Sequence, residues 1–281
     1  MVETFAGKTV AITGGGAGIG FALAKQLGGE GARVVIGEPS EDRLEAAARA
    51  LAEAGIETAT TALDVRDPGS VEAFADFAWA RFGSVDVVIN NAGVAAGLKP
   101  VTELPLDRVR GLFDVNVFGV WHGCASFGRR MIAQGTPAAI YAVGSENSFF
   151  NAVPNNAAYY ASKHAVRGVM EALREEMPAF IKVGLICPGF VQSEMTAGGL
   201  GAMAMPADVF AEKVVAQMKA GGFYIVTHPY NIERITPVHR EIEAAYAAHA
   251  PRYEGDDAHD VRTLMARHLG GSGGDGNGVG R

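Results

Sequence analysis

Thr13-Gly14-Gly15-Gly16-Ala17-Gly18-Ile19-Gly20 follows a strand-like run, Lys8–Thr13, and opens an apolar-patterned segment, Ile19–Leu27. A strand, a glycine-rich turn and a helix in that order leave free backbone N–H groups and the positive end of the helix dipole at the turn. That arrangement favours a pyrophosphate. Gly14 permits the tight turn, while Gly18 and Gly20 allow close approach of a dinucleotide and of the sheet. A glycine cluster on its own is a weak signal. Its place between strand and helix makes it informative.

Outward from this turn the pattern repeats. Arg33–Ile36, Thr58–Leu63 and Val85–Asn90 read as strands, with Glu41–Ala54 and Ser70–Arg81 as the helices between them. Leu44, Ala47, Ala48 and Leu51 recur at helical spacing. Alternation of this kind implies parallel strands joined by right-handed crossovers. The apolar runs Val85–Ile89 and Ala138–Val143 suit strands buried on both faces. Helices are expected near Asp107–Met131, Tyr159–Met177 and Asp208–Ala220, and further strands at Lys182–Ile186 and Phe223–Thr227. The expected fold is α/β: a single-domain Rossmann fold over residues 1–269, a doubly wound, seven-stranded parallel sheet with helices on both faces. Residues 228–269 form a C-terminal helical extension, with helices at Thr236–Ala250 and Asp257–Leu269. The glycine-rich tail, 270–281, has no apolar anchor and is expected to be disordered.

Composition narrows the class of protein. The chain has 281 residues, 48% of them hydrophobic and 20% charged, with a formal net charge of −7. That balance, without a basic cluster, argues against a nucleic-acid partner. Cys124 and Cys187 are the only cysteines. They offer neither a disulfide framework nor a zinc spacing, and they fit a reducing compartment. No signal-peptide pattern and no membrane-length apolar run is seen, so a cytoplasmic protein without a membrane partner is expected.

Chemistry enters with Tyr159 and Lys163. Positions four apart share one helix face, so phenol and ammonium can enter one pocket. A nearby cation favours the phenolate, and a tyrosine so tuned exchanges protons near neutral pH. Glu38 stands at the end of the second strand, where an acidic side chain can bind both ribose hydroxyls and repel a 2′-phosphate. No Arg or Lys lies in the glycine turn, and Pro39 follows Glu38. The expected cofactor is NAD rather than NADP.

Taken in order, the glycine turn, Asp64-Val65, Asn90-Asn91-Ala92-Gly93, Asn116, Ser145, Tyr159-x-x-x-Lys163 and Pro188-Gly189 make the chain resemble the short-chain dehydrogenase/reductase family, from about Gly7 to Thr227. The spacing Gly-x-x-x-Gly-x-Gly is the form that family uses. The resemblance implies that Gly14, Ala17, Gly18, Ile19 and Gly20 bind the cofactor with Glu38. It implies that Asp64 accepts from the adenine amino group beside Val65, and that Asn91, Ala92 and Gly93 line the adenosine side. Pro188, Gly189, Val191 and Ser193 would lead to the nicotinamide carboxamide. Ser145 would bind the substrate oxygen, Tyr159 would act as general acid/base, Lys163 would tune it and bind ribose, and Asn116 would position a water in the proton relay. The resemblance further implies a homodimer or homotetramer and a small-molecule substrate.

Ser145 lies one residue further from Tyr159 than the family spacing, where Glu146 would fall, and Ser148 is a nearer competitor. An insertion within Glu146–Asn156 accounts for this. The scattered histidines show no zinc spacing and no metal is expected. Tyr160, off the four-residue spacing to Lys163, reads as a wall residue. Met195, Met203 and Met205, among Gly198, Gly199 and Gly201, suggest a lid over an apolar pocket. Phe149, Phe150 and Val153 add to that pocket. The C-terminal extension faintly resembles relatives acting on aryl alcohols. The expected activity is hydride transfer between NAD(H) and a hydrophobic or aromatic secondary alcohol or its ketone. A lyase or epimerase with tightly bound NAD, and a non-catalytic NAD sensor, are the alternatives.

Overall fold

A computed structural model of the protein describes residues 4–271. Seven parallel strands form one sheet: β1 (Thr9–Thr13), β2 (Arg33–Glu38), β3 (Thr58–Ala62), β4 (Val87–Asn90), β5 (Ala138–Val143), β6 (Ile181–Cys187) and β7 (Tyr224–Val226). Their order is β3-β2-β1-β4-β5-β6-β7. Val10 on β1 pairs with Val34 on one side and Val87 on the other. The direction of strand addition therefore reverses between β1 and β4, which opens a crevice at the carboxyl ends of those strands.

Period-2 alternation sorts side chains to two cores. Val10 and Ile12 face a layer made by α1 (Gly18–Gly29), α2 (Glu41–Glu53) and α7 (Ala207–Ala220), through Leu23, Leu44 and Phe210. Ala11 faces the opposite layer, α3 (Pro68–Phe82), α5 (Gly119–Gln134) and α6 (Ala157–Glu176), through Phe74, Phe127 and Met170. Burial of each such side chain contributes ~2 kcal/mol. The local signals agree. Ser40 caps α2, and Asp67 with Pro68 starts α3, which ends on Gly83 in the left-handed region.

Three features differ from expectation. The single helix expected at Asp107–Met131 is interrupted: α4 (Leu106–Phe113) leads into a π-helical turn, Asp114–Phe118, and then α5. Such turns concentrate at functional sites. The glycine- and methionine-rich lid is folded into 3-10 turns, Glu194–Thr196 and Gly199–Met203, and a bridge pairs Val191 with Met205. The described residues form two compact units, the first ending at Asn231 and the second beginning at Ile232, so the boundary falls inside the expected extension. Residues 228–231, expected in the extension, fall in the first unit because His228 and Asn231 are buried. The second unit carries α8 (Ile232–His249), with Pro237 inside it, and α9 (Val261–Gly271), capped by Asp260. The expected disordered tail falls, from residue 272 onward, outside the described residues. Among those described, no helix is long and apolar enough to cross a membrane, and no cluster of His, Cys, Asp or Glu could hold a metal.

Candidate active site

A cavity of about 470 Å³ occupies the crevice. Every residue expected to bind the cofactor lines it, from Gly14 through Glu38, Asp64, Asn91 and Lys163 to Ser193, together with Ser145.

Its floor is a tightly closed cradle. Asn91 donates through Nδ2 to the carbonyls of Thr13 (3.0 Å) and Gly14 (2.9 Å), while Thr13 Oγ1 accepts from the backbone of Asn91 and Ala92. These bonds tie the end of β4 to the β1 turn. Gly14 and Gly18 have φ of +63° and +55°. A Cβ on Gly20 would fall 2.4 Å from both Asn91 Nδ2 and Gly14 O. Helix α1 begins at Gly18, and Ala17 before it supplies no side-chain cap, so its first N–H groups are left to the cavity. This donor set and crowding fit a dinucleotide pyrophosphate.

Glu38, 4% exposed, forms one wall. Arg43 reaches it from α2 at 3.3 Å and also pairs with Glu194 at 2.5 Å. Asp64 is more engaged than expected: Arg66 holds both its oxygens, at 2.5 to 3.0 Å, and keeps the carboxyl below the usual range. An adenine amino group would share that carboxylate with Arg66. Sequence reasoning missed both arginines, because it weighed only the glycine turn and the residue after Glu38.

The reactive end is built where β5 stops. Ser145 caps a 3-10 turn, Glu146–Ser148: its Oγ accepts from Asn147 N at 3.1 Å, and its own N–H donates to Ser148 Oγ at 3.2 Å. Ser148 is fully buried and structural, whereas Ser145 lines the cavity together with Tyr159. Tyr159 and Lys163 face the cavity from the first turns of α6. Lys163 Nζ donates to Val143 O at 2.8 Å and sits 5.6 Å from the Tyr159 ring centroid. Tyr160 turns elsewhere, and its hydroxyl bonds to the backbone of Val153.

Two expectations change here. Burial, not Lys163, dominates the phenol and pushes its pKa up to about 12; the Ser145 hydrogen bond lowers it, and Glu146 raises it further. Burial also lowers Lys163 to about 8. The one-turn spacing brings the two groups together, but it does not by itself make Tyr159 acidic. Asn116, in the π-helical turn, is fully buried and lies outside the cavity lining. Its side chain is committed to Val94 N (2.8 Å), Val94 O (3.0 Å) and Ser162 Oγ (3.2 Å). Its amide is a brace for the loop after β4. It still lies close to the site: a Cβ on Gly93 would be 3.4 Å from Asn116 Oδ1 and 3.7 Å from Lys163 Nζ.

The family model of short chain dehydrogenases matches residues 8–200. The 1-deoxy-11-beta-hydroxypentalenate dehydrogenase of Streptomyces avermitilis is 35% identical over 79% of this chain and 84% of its own. The cis-4-hydroxycyclohexanecarboxylate dehydrogenase of Sinomonas cyclohexanicum is 34% identical over 77% and 84%. A short-chain dehydrogenase/reductase from Burkholderia phymatum, solved in complex with NAD, superposes with a TM-score of 0.81 at 29% identity, covering 87% of this chain and 96% of its own. Motif order, sheet order and the cluster in the crevice converge with these likenesses: the chain belongs to the short-chain dehydrogenase/reductase family of oxidoreductases.

Proposed function

We propose that the protein is an NAD(H)-dependent alcohol dehydrogenase or carbonyl reductase for a hydrophobic secondary alcohol and its ketone. The observation that carries this is the meeting of Ser145, Tyr159 and Lys163 in the same cavity as the glycine cradle. When bound, the nicotinamide supplies the hydride acceptor or donor. Ser145 holds the substrate oxygen against Tyr159. In reduction the Tyr159 phenol, protonated at neutral pH, gives its proton to the carbonyl oxygen; in oxidation the phenolate takes the alcohol proton. Lys163, lowered only to about 8, is still largely cationic at pH 7 and stabilises that phenolate. Oxidation is therefore expected to accelerate with rising pH more than reduction does.

The preference for NAD rests on Glu38, buried in the cavity wall where two ribose hydroxyls would meet it and a 2′-phosphate would be repelled. Arg43 is held between two carboxylates, which offsets its charge there. An alicyclic hydroxy compound suits the site, in line with the names of the two dehydrogenase relatives. Exposed Phe118, Trp121 and Ile132, the last two on α5, support assembly as a homodimer or homotetramer.

Reduced-nicotinamide absorbance across a panel of alicyclic and aryl secondary alcohols, with NAD and NADP in parallel, tests this reading. The expected result is turnover with higher kcat/KM for NAD, and a weakened preference in Glu38→Ala. Higher kcat/KM for NADP would overturn the assignment. Substrate conversion without net absorbance change would replace it with an internal redox cycle.

A further inference from the structure

Pro188-Gly189-Phe190 carries the chain from β6 to Val191 and Ser193, which the family resemblance implies lie at the nicotinamide. This turn is held from beneath by a side chain with no expected role. His228 is 8% exposed and follows β7. Its Nδ1 accepts from Gly189 N–H at 3.1 Å, with the Thr227 hydroxyl 2.8 Å from the same nitrogen. Its Nε2 lies 3.3 Å from Phe190 O. A backbone N–H only donates and a carbonyl only accepts, so these partners select one form of the ring: neutral, bare at Nδ1 and protonated at Nε2. The packing is equally specific. A Cβ on Gly189 would fall 2.5 Å from the His228 ring.

We propose that His228 is a positioning residue for cofactor binding: its neutral ring clamps Gly189 and Phe190, sets the backbone leading to Val191 and Ser193, and releases that backbone when protonated. Identification of the ligand as NAD(H) rests on the functional reading above; the clamp itself does not. A protonated Nδ1 would become a second donor facing Gly189 N–H, and a buried donor pair without an acceptor is costly. The surroundings favour the neutral ring. Burial depresses its basicity, Lys213 on α7 pushes the same way, and the Phe190 carbonyl opposes them. The Tyr230 ring packs edge-on at 5.6 Å.

The test combines NADH binding, followed by fluorescence between pH 8 and pH 5, with ¹⁵N spectra of the imidazole in the cofactor-free protein. In His228→Asn the amide oxygen can replace Nδ1 as acceptor and does not titrate. His228→Leu keeps the bulk but supplies no acceptor. At pH 8 the Asn variant is expected to bind within a few-fold of wild type, and the Leu variant about tenfold more weakly, the usual cost of a buried N–H left unpaired. On acidification wild type is expected to lose more affinity than the Asn variant; a loss common to both does not arise at His228. The free protein at pH 7.5 should show the Nε2–H tautomer.

An Nδ1–H tautomer, or a Leu variant that binds as tightly as wild type, would overturn the clamp. So would identical pH profiles for wild type and Asn, a comparison that stands even if the Leu variant fails to fold. Wild type that binds no NADH at pH 8 would instead overturn the functional reading, and the tautomer would still decide the clamp.

Discussion

In the cradle wall of the cleft a methyl added at Gly20 would come within 2.4 Å of two fixed polar atoms; in the turns after β6, which line the cleft through Ser193 and Met195, a methyl added at Gly198 would meet nothing within 4 Å. Gly20 is glycine because the cradle leaves no room. Gly198 has φ of +93° and ψ of 162°, a backbone region that essentially only glycine visits, in open space. The first wall is anchored to strand ends and crossed by the Asn91 and Thr13 bonds. The second hangs beyond β5 and β6 on turns closed by hydroxyls. Ser145 N–H donates to Ser148 Oγ, and Ser193 N–H donates to Thr196 Oγ1 at 2.9 Å, so one capping device is used twice. In the proposed function the cradle serves a cofactor common to many reactions, while the turns after β5 and β6 hold Ser193 for its nicotinamide end and offer the substrate a surface that local sequence can remodel.

If that contrast holds, Ser145→Ala should reduce turnover about 10²–10³-fold, as removal of an oriented donor at the reacting oxygen does. Ser148→Ala, removing a fully buried structural hydroxyl, should lower thermal stability more than turnover. The reverse result would move the reactive serine. Gly20→Ala should destabilise by about 2 kcal/mol in denaturant titrations and weaken NADH binding, because Asn91 must move.

Lys163→Met should abolish most activity yet raise stability at pH 7. Burial lowers the Lys163 pKa from 10.5 to about 8, so at neutral pH the folded state alone bears the cost of a buried cation. Above pH 8 the folded state sheds that proton before the unfolded state does, so the cost fades. The Met variant's advantage in unfolding free energy should shrink between pH 8 and 10.5. An advantage that grows with pH would contradict the burial argument. The smallest effect is expected at Met195, about half exposed on the cavity rim. Met195→Ala should shift stability by no more than about 0.5 kcal/mol and act on the KM of the alcohol rather than of NAD.

What could be read from the chain follows the same division. Strand positions and the cradle were legible because buried parallel strands and a glycine turn carry period and spacing that survive in one dimension, whereas the order of the strands in the sheet does not. Ala138–Val143 was located to the residue. The π-helical turn at Asp114–Phe118 was not, since five residues of slightly wider pitch barely disturb helical periodicity. Arg43 escaped notice because its partners, Glu38 and Glu194, meet only in the folded chain. His228 escaped because a search for metal spacing cannot see a bond to Gly189, 39 residues away. The burial that raises the Tyr159 pKa was not legible for the same reason: spacing reveals a neighbour, while burial is a property of the whole fold.

The central claim is that Tyr159 moves the proton that accompanies hydride transfer. Tyr159→Phe tests it most directly, assayed with the alcohol on which wild type is most active, alongside NADH binding. The account predicts cofactor affinity within a few-fold of wild type and turnover lowered by about 10²–10⁴-fold across the pH range. Turnover within tenfold of wild type, at unchanged cofactor affinity, would contradict it.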